Sequence, residues 1–400
     1  MSLTNDNNLD SNTRRSVSEA PSRTFEWESG GPAFYPESGP KCKFVVSNDS
    51  KWRALVARDV YQVGIAFVKS EFDVEGDLVE AIKIYRSRYA SHSTPSLKTI
   101  AAYLRKRLFR KHSHGSSARD IQFHYDRSND FYHTFLDSRM VYSCAYFRTP
   151  QDTIETAQFA KLQHICKKLQ LRVGDRFLDI GCGWGALALE AADQYGTFST
   201  GCTLSSEQRL WAAHQAADRE VSHRVDILEQ DYRELDGKFD KIASVGMFEH
   251  VGHKTLRTYF DKVSALLAEG GYFLNHGIVR PEVVRRDPET LFLANEIFPG
   301  GELVRLTDVI RSAEQAGFEV FDIENLRPHY ALTCRAWVDR LLKNRAESLK
   351  YVDGETYRTW LLYLAASAAS FESANTEIHQ VLFLKRGQPR PLTRDFLYSQ

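Results

Sequence analysis

The 400-residue sequence lacks a long apolar run: its most apolar window, Trp360 to Phe371 (WLLYLAASAASF), holds 12 residues, too few to cross a bilayer. It lacks an excess of either charge. With 52 Lys+Arg against 52 Asp+Glu, nothing global draws it to nucleic acid, and any basic attraction must be local. It also lacks paired cysteines. Six are scattered at 42, 144, 166, 182, 202 and 334 without a C-x-x-C, which suggests neither a zinc site nor a disulfide framework and fits a reducing cytoplasm. The start, MSLTNDNNLDSNTRR, has no apolar core and does not read as a secretory signal. Together these absences predict a soluble protein, or one that rests on a membrane face.

What is present is ordinary globular usage. Charged residues make up 26% and apolar ones 42%, which excludes a wholly disordered or fibrous chain. At roughly 150 residues per domain the length predicts two to three domains, enough to bury a core without disulfides or metals. Residues 1–40 are rich in Ser, Asn, Asp, Gly and Pro and read as a disordered leader. From Phe44 to Tyr85 short apolar stretches predict a small α+β unit, with a strand over VGIAFV and a helix opened by Asp77 that carries Leu78, Ile82 and Ile84.

Residues 98–119 (KTIAAYLRKRLFRKHSHGSSAR) contain seven Lys/Arg, two His and no acid, with Tyr103, Leu104, Leu108 and Phe109 interleaved at near-helical spacing. Such a helix can rest on an anionic lipid surface, each cation adding roughly 1 kcal/mol. It can equally be a linker whose apolar face packs on its own protein. From residue 120 onward strand-like segments (RFLDI, TFSTGCTL, RVDILEQD, DKIASVGM, GYFLNHGIV) alternate with helix-like ones (ALALEAADQYG, SSEQRLWAAHQAAD, TLRTYFDKVSALLAEG), which predicts a doubly wound parallel sheet.

The sequence Asp179-Ile180-Gly181-Cys182-Gly183-Trp184-Gly185 ends a strand and opens a helix. Glycines there let the backbone turn sharply and approach a ligand, while the helix amides offer donors. Two features count against a dinucleotide. The spacing is G-x-G-x-G, and about twenty residues on, where an acid would grip a ribose, the chain reads Gly201-Cys202-Thr203-Leu204-Ser205. D-x-G-x-G-x-G resembles the first motif of class I S-adenosylmethionine (SAM) methyltransferases.

Around this loop the resemblance narrows. Phe123-His124-Tyr125-Asp126, Asn129-Asp130-Phe131-Tyr132 and Met140 to Phe147 (MVYSCAYF) resemble the signature of cyclopropane-fatty-acyl-phospholipid synthases. So do Gly201 to Ser205 with Gln208, Phe248-Glu249-His250-Val251-Gly252, Phe273-Leu274-Asn275-His276-Gly277-Ile278 and Arg327-Pro328-His329-Tyr330, in order from about residue 120 to 386. Glu71-Phe72-Asp73 and Gly76-Asp77-Leu78 resemble the family's small N-terminal domain more loosely.

The resemblance implies an α/β fold, a class I SAM-methyltransferase (Rossmann-like) mostly parallel sheet at 120–400. It implies a small N-terminal lipid-interaction domain at 41–97, joined to the sheet by the basic linker at 98–119. For SAM it implies Tyr142, Ser143, Gly181 and Gly183 at the methionine end, with Asp179 opening the loop motif. Thr203 and Gln208 would lie near the ribose, and Asp231 and Tyr232 at the adenine. Three of these have plainer readings: Tyr142 as a core tyrosine, Asp231 as a helix cap, and Thr203 as a strand-favouring residue.

The implied reaction alkylates the double bond of an unsaturated phospholipid acyl chain. An isolated alkene has no proton to lose beforehand, so transfer from a sulfonium passes through a carbocation-like state. That state needs an apolar channel, aromatic faces and a base for the proton released. In this family the base is a bound bicarbonate, and the motifs carry its holders to Cys144, Glu249, His276, the backbone at Ile278, and Tyr330. His250, His253 and His329 are read as structural, with no metal-ligand spacing. Asn275 and Gly277 stand where other members often carry a second Leu and a Thr, and His379 where an aromatic is expected; loss of a methyl proton would close a cyclopropane, loss of a chain proton would leave a methylated or methylene product. The resemblance also implies a peripheral site on the inner face of the cell membrane and accommodates a homodimer. A small-molecule SAM methyltransferase, for instance of amines, and a catalytically silent lipid-binding protein are the competing readings.

Overall fold

The structure, a computed structural model, describes residues 42–46, 59–89, 129–282 and 303–398. The leader at 1–40, the basic segment at 98–119 and the Phe123 to Asp126 motif lie outside the described residues.

The first described unit pairs β1 (Cys42–Val45) antiparallel with β2 (Asp73–Gly76). Between the strands runs α1 (Val60–Val68), and after them α2 (Leu78–Tyr89). Asp77 opens α2 as expected: its Oδ1 accepts the Val79 amide at 2.8 Å and the Glu80 amide at 3.1 Å. The strand expected over VGIAFV is instead part of α1. Asp59 caps this helix by accepting the Gln62 amide at 2.9 Å, and Val63, Ala66 and Phe67 fall on one buried face. A continuous apolar run carries no period to separate strand from helix; the cap and the packing surface decide.

The larger unit alternates strand and helix. In chain order it comprises α3 (Ile154–Leu169), β3 (Arg176–Ile180), α4 (Ala186–Tyr195), β4 (Phe198–Thr203), α5 (Ser206–Asp218), β5 (Val225–Glu229), β6 (Phe239–Val245), α6 (Leu256–Leu266) and β7 (Leu267–Val279). There follow α7 (Leu306–Gln315), β8 (Phe318–Asn325), α8 (Arg327–Lys343), α9 (Gly354–Glu372) and β9 (Glu377–Lys385). The strands form one sheet in the order β5-β4-β3-β6-β7-β9-β8, parallel except that β9 runs antiparallel to both β7 and β8. Side chains alternate across the sheet. Tyr272, Leu274 and Leu382 meet α3 on one face, and Phe273, Phe318 and Phe383 meet α6 on the other.

A third apolar cluster joins the two units. It runs from Phe44, Phe67 and Leu78 through Phe131 and Phe135 to Trp337 on α8 and Trp360 on α9. Charges fasten the same seam. Arg335 on α8 meets Asp77 at 2.7 Å, Glu80 at 3.1 Å and also Glu372, and Arg358 on α9 lies 4.0 Å over the Phe67 ring while donating to the Phe67 carbonyl at 2.7 Å. The most apolar window of the sequence is the buried stretch of α9, and among the described residues no helix is long and apolar enough to cross a membrane.

Candidate active site

The carboxyl ends of β3, β4, β6 and β7 share one edge of the sheet, and β3 has β4 on one side and β6 on the other. Strand order reverses there, and ligands of open α/β sheets bind at such a switch point. Every candidate residue on the sheet falls on this edge or on the turns leaving it.

Gly181, Gly183 and Gly185 leave β3 with φ of 72°, 55° and 83°. Their neighbours divide their roles. A Cβ on Gly185, the N-cap of α4, would stand 2.7 Å from the Ala212 Cβ, and one on Gly181 would stand 2.7 Å from the Met247 Cγ, so both glycines serve close packing. A Cβ on Gly183 would meet nothing within 4 Å. Open space above a left-handed backbone at a helix N-terminus is a cradle that fits the methionine end of SAM. Just before it, burial pushes the Asp179 carboxyl up to about 7 although the nearby Lys161 works the other way.

Thr203 ends β4 and donates to Gln208 Oε1 at 2.6 Å; both side chains are buried and bonded to each other. Ser205 caps α5 by accepting the Gln208 amide at 3.4 Å, which sets that pairing. Asp231 closes the turn after β5 as a cap, accepting the Arg233 amide at 2.9 Å and the Arg233 guanidinium at 2.9 and 2.6 Å. Burial alone would raise its carboxyl, but these bonds outweigh burial and hold it below the ordinary value. Tyr232 stands edge-on to Tyr259, with centroids 5.7 Å apart.

The loop Val141 to Cys144 is gripped from α3. Gln158 Nε2 donates to the Ser143 carbonyl at 2.8 Å and the Val141 carbonyl at 3.3 Å, and Lys161 Nζ donates to Ser143 Oγ at 3.1 Å. From the other side Asp137 Oδ1 accepts the Val141 amide at 2.8 Å. Tyr142 is half-buried in a wall of rings, with centroids 5.2 Å from Trp337, 5.8 Å from Tyr132 and 6.0 Å from Trp360, and its hydroxyl lies 3.4 Å from that of Tyr363. Sequence reasoning passed over Gln158 and Lys161. The available signal was two polar residues three apart on the apolar face of a helix that also buries Ala157, Leu162 and Ile165.

A second group gathers beyond the ends of β6 and β7. Glu249 Oε1 accepts the Ile278 amide at 2.7 Å, so the Ile278 backbone stands behind Glu249, and Glu249 Oε2 is buried with no hydrogen-bond partner among the described residues. Burial pushes this carboxyl up to about 7. His276 is fully buried, with Gln380 Nε2 at 3.2 Å from its Nδ1. In that orientation the amide nitrogen can only donate, so the neutral ring carries its proton on Nε2, which has no partner among the described residues. Burial holds His276 well below the ordinary imidazole value, and Lys161 and Lys168 add to the effect. Gln380, paired with His276 across the β7–β9 ladder, was not singled out from the sequence.

Cys144 and Tyr330 meet at the start of α8. The Cys144 thiol lies 3.3 Å from the Ala145 carbonyl and 3.9 Å from the Leu326 carbonyl, and the latter also accepts the Tyr330 amide at 3.1 Å. Burial raises both groups well above their ordinary values, and the Tyr330 hydroxyl also feels Cys144 and Glu249. The Tyr330 ring packs 4.6 Å from Phe371 and 6.0 Å from Trp337. Two buried polar atoms without hydrogen-bond partners among the described residues, His276 Nε2 and Glu249 Oε2, fit a small hydrogen-bonding anion.

Comparison with known proteins follows the same lines. Residues 112–381 match the family described as mycolic acid cyclopropane synthetase. A probable fatty acid methyltransferase of Pseudomonas putida is 38% identical over 387 residues, spanning 94% of this chain and 96% of its own length. The cyclopropane-fatty-acyl-phospholipid synthase of Escherichia coli K12 is 40% identical over 261 residues, 65% of this chain and 66% of its own. Among solved structures, the mycolic acid cyclopropane synthase CmaA1 complexed with SAH and CTAB has a TM-score of 0.64 at 33% identity, covering 67% of this chain and 98% of that one. The mostly parallel sheet and this likeness establish a class I SAM-methyltransferase fold.

Proposed function

Because the chain belongs to the mycolic acid cyclopropane synthetase family, and is therefore a SAM-dependent methyltransferase, we propose that it alkylates the double bond of an unsaturated fatty-acyl chain held in a phospholipid, with cyclopropane as the product and bicarbonate as the base. The observation that carries this reading is the pair of orphaned buried atoms, His276 Nε2 and Glu249 Oε2, on the edge of the sheet where the glycine loop turns. An amine methyltransferase has a lone pair on its substrate and no use for them.

When bound, SAM supplies an electrophilic methyl carbon and bicarbonate a base that is not itself a side chain open to methylation. The residues then divide the work. Gly181 and Gly183 bring backbone to the methionine end beside Tyr142 and Ser143. Thr203 and Gln208, bonded to each other, shape the ribose wall, and Asp231 with Tyr232 the adenine end. His276 Nε2–H donates to the anion. Glu249, fixed through the Ile278 amide, offers Oε2 to accept the anion's hydroxyl proton. Tyr330 adds a donor from the start of α8, Cys144 would turn its S–H from the Ala145 and Leu326 carbonyls toward the anion, and the rings around Tyr142 tolerate positive charge. Residues 41–97 with the basic segment at 98–119 would dock the enzyme on the membrane, as a monomer or a homodimer.

Purified protein incubated with SAM and vesicles of unsaturated phospholipid tests the reading. A mass gain of about one methylene on the acyl chains is expected, and turnover should fall reversibly when dissolved carbon dioxide is stripped from the buffer. Unchanged acyl chains overturn the assignment; full activity without bicarbonate overturns the base.

A further inference from the structure

We propose that Lys161 is a positioning residue for SAM: by donating to Ser143 Oγ it commits the Ser143 hydroxyl to donate in turn to the carboxylate at the methionine end of SAM. The inference rests on the SAM site described above and assigns a role there to a side chain on α3, behind the loop.

Hydrogen-bond polarity fixes which way the Ser143 proton points. An ammonium has three donors and no acceptor, whereas a serine hydroxyl has a single proton. With Lys161 Nζ at 3.1 Å, Ser143 Oγ is the acceptor of that bond, and its own proton must point elsewhere. Three backbone groups of the loop are engaged from behind, the Ser143 and Val141 carbonyls by Gln158 and the Val141 amide by Asp137. The hydroxyl proton, turned away from Lys161, is the side-chain donor that Ser143 can present to a ligand. Serine without Lys161 can turn its proton either way; serine held by Lys161 must aim that proton away from the ammonium, toward the ligand side, with one lone pair still open.

The charge setting agrees. Lys161 is 2% exposed, and Asp137 and Asp179 are the carboxylates that face it, with Cys144 and Cys166 also in range. Burial brings its amine down to about 8, which leaves it mostly protonated at neutral pH. A donor hydroxyl backed by a buried cation suits a carboxylate and disfavours an ammonium. The methionine end of SAM carries one of each, so this arrangement also sets which of them approaches Ser143.

Titration calorimetry with two probes tests the proposal: S-adenosylhomocysteine, which has the carboxylate, and methylthioadenosine, which does not. Lys161→Met is expected to weaken S-adenosylhomocysteine by about tenfold or more while leaving methylthioadenosine unchanged. Ser143→Ala should show the same selective loss, the double variant should be no weaker than Ser143→Ala alone, and Lys161→Arg should recover most of the affinity. Equal losses for both probes, or additive losses in the double variant, would overturn the proposal. Should Lys161→Met fail to fold, Ser143→Ala and Lys161→Arg decide the matter by the same ratio. A wild-type protein that binds neither probe overturns the cofactor reading itself, and this proposal with it.

Discussion

A Cβ on residue 277 would stand 1.9 Å from Cε1 of Phe248, so the Phe248 ring lies against bare backbone of β7. That contact sets the turn after β6. With Phe248 seated, the next residue, Glu249, reaches the Ile278 amide at 2.7 Å. Gly277 is therefore part of how the carboxylate is aimed, and the departure from the family's usual residue at this position has a structural meaning.

Gly277→Ala is expected to displace Phe248, cost on the order of 1–3 kcal/mol of stability through overpacking, and lower turnover about tenfold or more while SAM affinity holds. Thermal melting, calorimetry and acyl-chain mass analysis measure the three effects separately. A variant with wild-type turnover would show that the aim of Glu249 does not depend on this contact.

The Glu249 carboxyl itself gives a pH prediction. Burial raises it from an ordinary 4.5 to about 7, so the folded protein holds a proton there that the unfolded chain releases. For an acid with a raised folded-state value, stability is lost as pH rises across that window. Glu249→Gln keeps an oxygen for Ile278 and carries no charge. Its melting temperature relative to the wild type should rise between about pH 5 and pH 8, while its turnover falls. A difference flat with pH would mean that Glu249 titrates near its ordinary value.

Glu324 behaves in the opposite sense. Burial alone would raise its carboxyl, yet the His164 hydrogen bond at 2.7 Å and the Lys168 ammonium at 2.5 Å outweigh burial and hold it at about 2. Its stabilising contribution is present above its ordinary value and is lost as pH falls from about 4.5 toward 2. Lys168 is 1% exposed, so Glu324→Gln leaves a buried cation whose remaining carboxylate partner among the described residues is Asp322 at 3.5 Å. Urea denaturation at neutral pH should show a loss of about 3 kcal/mol, shrinking in acid. Wild-type stability at neutral pH would place the ion pair outside the folding balance.

Much of this was legible in the sequence because the signals were local. The strands of the sheet and the helices between them carry their own periods and caps, and Asp77 announces α2 two residues ahead of the amide it accepts. VGIAFV misled because an unbroken apolar run has no period, and the Asp59 cap with the surface it packs on makes it a helix. The helix expected over TLRTYFDKVSALLAEG stops at Leu266 because Leu267 is already paired with Phe239 in the sheet. The grip of Lys161 on Ser143 joins residues 18 apart and that of Glu249 on Ile278 joins residues 29 apart. Neither spacing carries a motif. Buried lysines on an apolar helix face were the visible trace of the first, and nothing in the sequence marked the second beyond the family pattern.

The glycine loop allows a prediction that separates ligand contact from packing. Gly183 has φ of 55° and open space where a Cβ would stand, whereas a Cβ on Gly185 would strike the Ala212 Cβ at 2.7 Å. Gly183→Ala is expected to cost about 1 kcal/mol in backbone strain, leave the protein folded, and weaken SAM about tenfold or more by occupying the approach. Gly185→Ala is expected to lower the melting temperature by several degrees because α4 and α5 must part. Melting curves recorded with and without S-adenosylhomocysteine distinguish the two: the ligand-induced rise should vanish in Gly183→Ala and persist in the destabilised Gly185→Ala. The reverse pattern would move the ligand from Gly183 to the start of α4.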